Sequence, residues 1–256
     1  MEKKLNNKTN TLQLDLIDSH AHLNEIDQID EVIQRARLAG VNRIVAVGMD
    51  LDSNVKTLEI EARFFGIVFP AIGYHPWSIK DEKIDETLEF IDENLENCCA
   101  LGEVGLDYKV KIKKAIQQKV FQKALELAHI HNKPAIIHSR YSYERTHQMA
   151  QASGIEKAVF HWYSGPLDVL NLIIKDGHYI SATPALTYSK HHQTAIAHTP
   201  LDRILIETDC PVSYQGKVSE PRDLIKTLNA LSKIKKEPAV MIGRVTTENA
   251  MKFYGF

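Results

Sequence analysis

Five short apolar runs along the chain are each followed, at once or within a few residues, by a histidine or a carboxylate. The residues that interrupt the runs are His20, Glu103, His138, His161 and Asp209. Runs of this length are typical of buried strands. Longer segments with apolar residues every three or four positions separate them, as in amphipathic helices. The alternation predicts repeated βα units around a parallel sheet.

The spacing of such runs predicts eight strands, near residues 14–19, 43–48, 67–72, 99–102, 134–137, 157–160, 178–181 and 203–207. Eight units in 256 residues favour an α/β fold of the (β/α)8 TIM barrel type, which takes about 250 residues. Residues 1–13 are polar and rich in Asn and Lys, and no break in composition follows them. We therefore expect a polar N-terminal tail over residues 1–13 and a single TIM-barrel domain over residues 14–256.

The side chains that end the strands are of metal-binding types. The carboxyl ends of parallel strands meet at one rim of a barrel, so these side chains should converge there. His20 and His22 project to the same side of an extended segment and can hold one cation together. The predicted metal ligands are His20, His22, Glu103, His138, His161 and Asp209. His191 and His192 are not expected to bind a metal together, because neighbours on a helix point in different directions, and we expect both to be exposed loop or helix residues.

Two ions need two sets of donors. His138 and His161 can supply a second ion, and Asp209 lies beside the first. Glu103 is central enough to give one carboxylate oxygen to each ion, and such a bridge lets two dications approach to the ~3.5–4 Å that is useful in hydrolysis. The pattern therefore predicts the binuclear metal site of a hydrolase.

Charge and composition limit how a substrate can be held. The chain has 31 Lys and Arg against 33 Asp and Glu, a formal charge of −2, so a polyanion must be bound locally rather than by an overall basic field. The 3 cysteines cannot all pair within the chain, and we expect them to be reduced. No secretory signal and no apolar run of ~20 residues is present. We expect a cytoplasmic protein that does not enter membranes.

Five motifs resemble, in the same order, the signatures of the TatD-type metal-dependent hydrolases. They are Asp18-Ser19-His20-Ala21-His22-Leu23, Gly102-Glu103-Val104-Gly105-Leu106-Asp107-Tyr108, Ile137-His138-Ser139-Arg140, His161-Trp162-Tyr163-Ser164-Gly165 and Glu207-Thr208-Asp209-Cys210-Pro211. This family belongs to the amidohydrolase-like TIM barrels and includes many deoxyribonucleases. The resemblance implies two divalent ions of Mg²⁺, Mn²⁺ or Zn²⁺. It assigns one to His20, His22, Glu103 and Asp209, and the other to Glu103, His138 and His161.

Three loops depart from the family pattern. Ser219-Glu220-Pro221 stands where Asn-Glu-Pro is common, and residues 181–187 lack the usual Phe and Gly. After Arg140, Tyr141-Ser142 replaces the expected Asp-Ala. We expect these loops to face substrate rather than metal, so they bear on which substrate is cleaved.

Four further residues near the rim are predicted to bind substrate. Arg140 can grip a phosphate oxygen through its planar guanidinium group, and His75 can donate a hydrogen bond to one. Lys113 lies in a lysine-rich segment, residues 109–114, which either contacts phosphates or is a solvated helix face. Trp162 can stack on a base.

We expect Asp209 and Glu103 to be catalytic, with Asp209 orienting or deprotonating the water that attacks a phosphodiester bond. DNA is the predicted substrate, cleaved from an end, because an open rim without a basic groove suits a terminus better than a long duplex. Two alternatives stay open. The same site would also suit another ester or amide, such as D-aminoacyl-tRNA or a lactone, and a metal-binding protein without turnover is the other possibility.

Overall fold

The computed structural model describes residues 15–256, and in this part of the chain eight strands lie side by side in chain order, each parallel to the next. They are β1 (Leu16–Ala21), β2 (Val41–Val47), β3 (Val68–Ile72), β4 (Ala100–Asp107), β5 (Ala135–Arg140), β6 (Ala158–Phe160), β7 (Tyr179–Ala182) and β8 (Ile204–Ile206). The predicted TIM barrel is confirmed. The predicted tail, residues 1–13, lies outside the described residues.

Helices alternate with these strands. In the described range they are α1 (Ile29–Leu38), α2 (Leu51–Arg63), α3 (Ile84–Asn94), α4 (Lys114–Ile130), α5 (Tyr143–Ser153), α6 (Leu167–Lys175), α7 (Lys190–His198), α8 (Leu224–Lys235) and α9 (Ala239–Tyr254). A small hairpin, β9 (Ser213–Tyr214) and β10 (Lys217–Val218), lies between β8 and α8. None of the described helices is long and apolar enough to cross a membrane.

The strands bury apolar residues on both faces. In β2, Ile44 and Ala46 belong to a large apolar cluster shared with the helices, whereas Val45 and Val47 belong to a second, smaller cluster. Because side chains alternate along a strand, the second cluster is the barrel interior. The apolar runs in the sequence are therefore continuous rather than alternating, as expected for strands covered on both sides.

The barrel closes along a seam between β1 and the chain that follows β8. The backbone nitrogen of Asp209 donates to the carbonyl oxygen of His20 over 2.9 Å. Asp18, buried beside this point, accepts hydrogen bonds from the backbone nitrogen and the hydroxyl of Thr208, 190 residues away in sequence. Two predicted ligands thus lie on opposite sides of the seam, and closure of the barrel brings them together.

Helix α9 covers the amino-terminal end of the barrel. Its Asn249 side chain donates to the carbonyl oxygens of Leu201 and Ile204, where β8 begins. Tyr254 enters the interior cluster, and its hydroxyl donates to the carbonyl oxygen of Ser19 over 2.7 Å. The helix is therefore tied to β1 one residue before His20.

Tyr254→Phe is expected to lower the free energy of unfolding by about 1 kcal/mol, because it removes one buried hydrogen bond and leaves the ring in place. Denaturation in urea would measure the change. Tyr188→Phe, at an exposed tyrosine, is the control and should leave stability unchanged. Equal stability of the Tyr254→Phe protein and its parent would show that the hydroxyl does not tie α9 to β1.

Candidate metal centre

Glu103 lies at the centre of the carboxyl-end rim, buried at 2% exposure. Its Oε2 atom is 3.3 Å from His20 Nε2 and 3.4 Å from His22 Nε2. Its Oε1 atom is 2.8 Å from His161 Nε2 and 2.9 Å from His138 Nδ1. The two oxygens of one carboxylate therefore face two separate pairs of imidazoles.

Asp209 completes the group around the first pair. Its Oδ1 atom is 3.5 Å from the Nε2 atoms of both His20 and His22, and those two nitrogens are 3.1 Å apart. The structure thus brings all six predicted ligands to one place. Among the described residues, three trios have potential ligand atoms within 4.8 Å of one another: His20, His22 and Asp209; His75, Glu103 and His138; His20, His161 and Glu207.

The outer ring nitrogens of three of these imidazoles lie beside oxygen acceptors. His22 Nδ1 is 3.0 Å from Val47 O, His161 Nδ1 is 3.3 Å from Glu207 Oε1, and His138 Nε2 is 3.4 Å from Asp107 Oδ2. An acceptor at the outer nitrogen fixes the ring proton there, so the inner nitrogen of a neutral ring presents a lone pair to the centre. Those lone pairs face carboxylate oxygens, an arrangement that becomes favourable when a proton or a metal cation lies between them. The donor set therefore fits divalent metal ions.

The charges of the centre also favour the binding of a cation. Burial raises the pKa of Glu103, but the neighbouring imidazoles, above all that of His161, lower this pKa more. The pKa of Glu103 therefore lies well below its usual range. Burial lowers the pKa of His22, but hydrogen bonds to Asp209 and Glu103 raise it more, to about 10. The carboxylates thus draw positive charge into a buried site, and a bound metal ion would supply that charge in place of protons.

Two glycines let the strand that carries Glu103 come this close to its neighbours. A side chain at Gly73 would place its Cβ atom 2.6 Å from the backbone nitrogen and oxygen of Glu103. At Gly105, φ is +148°, and a Cβ atom would collide with the carbonyl oxygen of His138. Both positions therefore need glycine for steric reasons.

His75 contacts the same carboxylate. Its Nδ1 atom accepts a hydrogen bond from the backbone nitrogen of Trp77, so its ring proton is on Nε2, 3.2 Å from Glu103 Oε1. Burial lowers the pKa of His75 to about 4, more than Glu103 raises it, and the ring is neutral at pH 7. This predicted substrate contact is therefore also a hydrogen-bond donor to Glu103.

Two carboxylates with structural roles in this centre are not apparent as site residues from the sequence. Asp107 and Glu207 are buried and hold the outer nitrogens of His138 and His161. Asp107 also accepts a hydrogen bond from Trp77 Nε1. The one signal in the sequence is their spacing. Glu207 lies two residues before Asp209, and Asp107 lies four residues after Glu103, so an extended chain turns each pair to one side.

A pocket of about 820 Å³ opens above the centre. Of the predicted substrate-binding residues, His75, Arg140 and Trp162 line it. Lys113 is exposed at the start of α4 and is not among the described lining residues. The structure therefore groups three of the four at the pocket and places the fourth on the surface outside its lining.

The expectation that His192 is exposed is wrong. The ring is buried, its Nε2 atom accepts from the backbone nitrogen of Thr183, and its Nδ1 atom donates to the carbonyl oxygen of Tyr163. Burial lowers its pKa to about 4. A short helical turn over Pro184–Thr187 precedes α7, whose inner face then carries His192. His191 is exposed and lines the pocket.

Comparison with known proteins finds a matching family, similar sequences and a similar solved structure. Residues 17–255 match a family described as TatD related DNase. The metal-dependent hydrolase YabD of Bacillus subtilis is 34% identical over 253 residues, covering 93% of this chain and 98% of YabD. Human deoxyribonuclease TATDN3 is 28% identical, covering 93% and 94%. The crystal structure of YJJV, a TatD homologue from Escherichia coli, has the same fold, with a TM-score of 0.85 at 24% identity and coverage of 95% and 99%.

Proposed function

Because the chain belongs to the TatD family of metal-dependent hydrolases, we propose that it is a deoxyribonuclease that removes nucleotides from a DNA end. The placement of Glu103 carries the proposal, since its two oxygens face two separate pairs of imidazoles. That is the arrangement that a carboxylate bridge between two ions requires. The name of human TATDN3 supports DNA as the substrate class.

The proposed ligands form two sets that share Glu103. His20, His22, Asp209 and the Oε2 atom of Glu103 would hold one divalent ion, and His138, His161 and its Oε1 atom would hold the other. When bound, such ions lower the pKa of water and neutralise charge on phosphoryl oxygens. Imidazole suits Zn²⁺ and carboxylate suits Mg²⁺ and Mn²⁺, so a mixed donor set is compatible with each of the three.

Asp209 is the proposed general base. Burial raises its pKa, but His22 and His20 lower it more, so the carboxylate is ionised at neutral pH. It lines the pocket and is therefore placed to accept a proton from a water molecule that attacks there.

Arg140 is the proposed phosphate ligand. Its guanidinium lies on the pocket wall, with Nη1 3.7 Å from the buried Asp107 Oδ2. That contact orients the planar group, while its remaining donors can grip a phosphate oxygen. His75 lines the same pocket, with its Nε2 proton directed at Glu103 Oε1, and Trp162 offers an aromatic surface on the pocket wall.

The test is hydrolysis by the metal-reconstituted protein. End-labelled single-stranded DNA should shorten stepwise from one end, a chelator should stop the reaction, and added Mg²⁺, Mn²⁺ or Zn²⁺ should restore it. D-aminoacyl-tRNA and a lactone are run in parallel. Faster release of the amino acid or opening of the lactone, with DNA intact, would contradict the proposal.

Substitutions of Arg140 and Lys113 are expected to differ in how their effects depend on DNA length. Arg140→Ala should weaken the binding of both a trinucleotide and a 12-mer. It should also reduce the slope of log affinity against log salt by about 0.7, because one phosphate of a single strand is no longer neutralised. Lys113→Ala should weaken binding and reduce the salt slope only for the 12-mer. Lys113 lies outside the pocket, so a trinucleotide held in the pocket does not reach it. Binding at several salt concentrations measures both.

Lys119→Ala is the control, since Lys119 is exposed further along α4. Its salt slope should equal that of the parent with either oligonucleotide. If Lys113→Ala matches this control, residues 109–114 are a solvated helix face and Lys113 is not a phosphate ligand.

A further inference from the structure

Tyr141 is an exposed aromatic residue on the wall of the pocket. It follows β5 directly, its side chain is 66% exposed, and it lines the cavity above the metal centre. It stands where the family pattern has Asp. Burial in the core therefore does not account for a large ring at this position.

The backbone of Tyr141 is also unfavourable for a bulky residue. Its φ of +55° is in the left-handed region, where Asn and Asp are enriched among non-glycine residues and large side chains are uncommon. Such conformations concentrate at ligand-binding sites, where the surrounding structure holds them. The ring thus occupies a position that a smaller polar residue would adopt more easily.

One cation lies over the ring, and the preceding residue carries a second. Lys109 Nζ is 5.6 Å from the ring centroid, a cation–π distance. Arg140 is the preceding residue and faces the same pocket. A planar ring has two faces, and Lys109 can cover only one. A free aromatic face together with nearby cations is the combination that holds a base together with its phosphate.

We propose that Tyr141, Lys109 and Arg140 form a nucleotide subsite next to the scissile phosphate, in which a base stacks on Tyr141 and the adjoining phosphate contacts the two cations. The subsite rests on the proposed nuclease function and adds to it the residues that grip the nucleotide beside the cleaved bond. Stacking accepts any base, because every base has a π face. The subsite therefore secures binding without imposing a sequence preference.

The test compares a single-stranded oligonucleotide with one that is abasic at the positions beside the cleaved bond. In the metal-loaded enzyme, Tyr141→Ala should raise KM for the normal strand about 10-fold more than for the abasic strand, as expected for the loss of one stacked base. Tyr141→Phe should restore the parent value, since a phenyl ring also stacks. Tyr188→Ala, at an exposed tyrosine outside the lining residues, should behave as the parent does.

A binding measurement separates this inference from catalysis. An oligonucleotide with 2-aminopurine at the same positions should lose fluorescence on binding the parent protein, and Tyr141→Ala should abolish that loss. The subsite would be overturned if Tyr141→Ala and the parent had the same ratio of KM for the normal strand to KM for the abasic strand, and the same loss of 2-aminopurine fluorescence. The nuclease function would then remain intact. If the parent neither cleaves nor binds the strand, the nuclease function and the subsite are both overturned.

Discussion

Glu103→Gln is expected to remove at least one of the two proposed divalent ions and to lower turnover by on the order of 10³-fold or more. When several residues act together, changing one of them removes most of the activity of the enzyme. An amide has one oxygen, so one pair of imidazoles would face an NH₂ group that donates hydrogen bonds and cannot coordinate a cation. The change also removes the buried negative charge that raises the pKa of His161 well above its usual range against the effect of burial. Elemental analysis and hydrolysis of single-stranded DNA give the two readouts.

Glu96→Gln supplies the control for that substitution. Glu96 is exposed in the short helical turn before β4, so the same chemical change is made at the other end of the strand that carries Glu103. This protein should bind as many ions as the parent and turn over at the parent rate. Two ions per chain in Glu103→Gln would rule out Glu103 as the bridge.

Asp209→Asn is expected to lower kcat by about 10²-fold or more, the range typical of a lost general base. The amide is nearly isosteric with the carboxylate, yet it cannot take a proton from water and is a poorer ligand. Affinity for DNA should change little, because the phosphate contact proposed for Arg140 is untouched. Single-turnover cleavage measures the chemical step, and fluorescence anisotropy measures binding.

Asp202→Asn is the matched control for Asp209. Asp202 is exposed in the turn that precedes β8, so it sits at the opposite end of the same strand. Its kcat should equal that of the parent. A parent-like kcat in Asp209→Asn would exclude Asp209 as the base and leave another group of the centre in that role.

The fold and the convergence of the six ligands could be predicted because polar residues interrupt apolar runs at the strand ends. A buried strand tolerates a carboxylate such as Glu103 only where something compensates its charge, so its position in the sequence is informative. The parallel topology then brings distant ligands to one rim. The sequence pattern alone therefore places the centre without any knowledge of side-chain geometry.

The roles of individual residues in the site depend on which atom of a side chain faces which neighbour. No sequence pattern predicts that. His75 and Arg140 look alike as rim residues, yet the backbone nitrogen of Trp77 occupies Nδ1 of His75 and turns its proton toward Glu103. The burial of His192 is hard to predict because few apolar residues mark the inner face of α7, namely Ala195 and Ile196, three and four positions further on. The lining of the pocket likewise depends on loop conformations, including the positive φ of Tyr141.

The seam between β1 and the chain after β8 also governs when during folding the centre can exist. Asp18 and Thr208 join across 190 residues, and closing a loop of that length costs about 5 kcal/mol of chain entropy in its length-dependent part. Contacts of such sequence separation form late in folding, after local βα units. His20 and Asp209 therefore meet only when the first and last strands pair. A nascent chain that still lacks β8 carries His20 and His22 but not Asp209, so the ligand set proposed for the first ion is incomplete until the barrel closes.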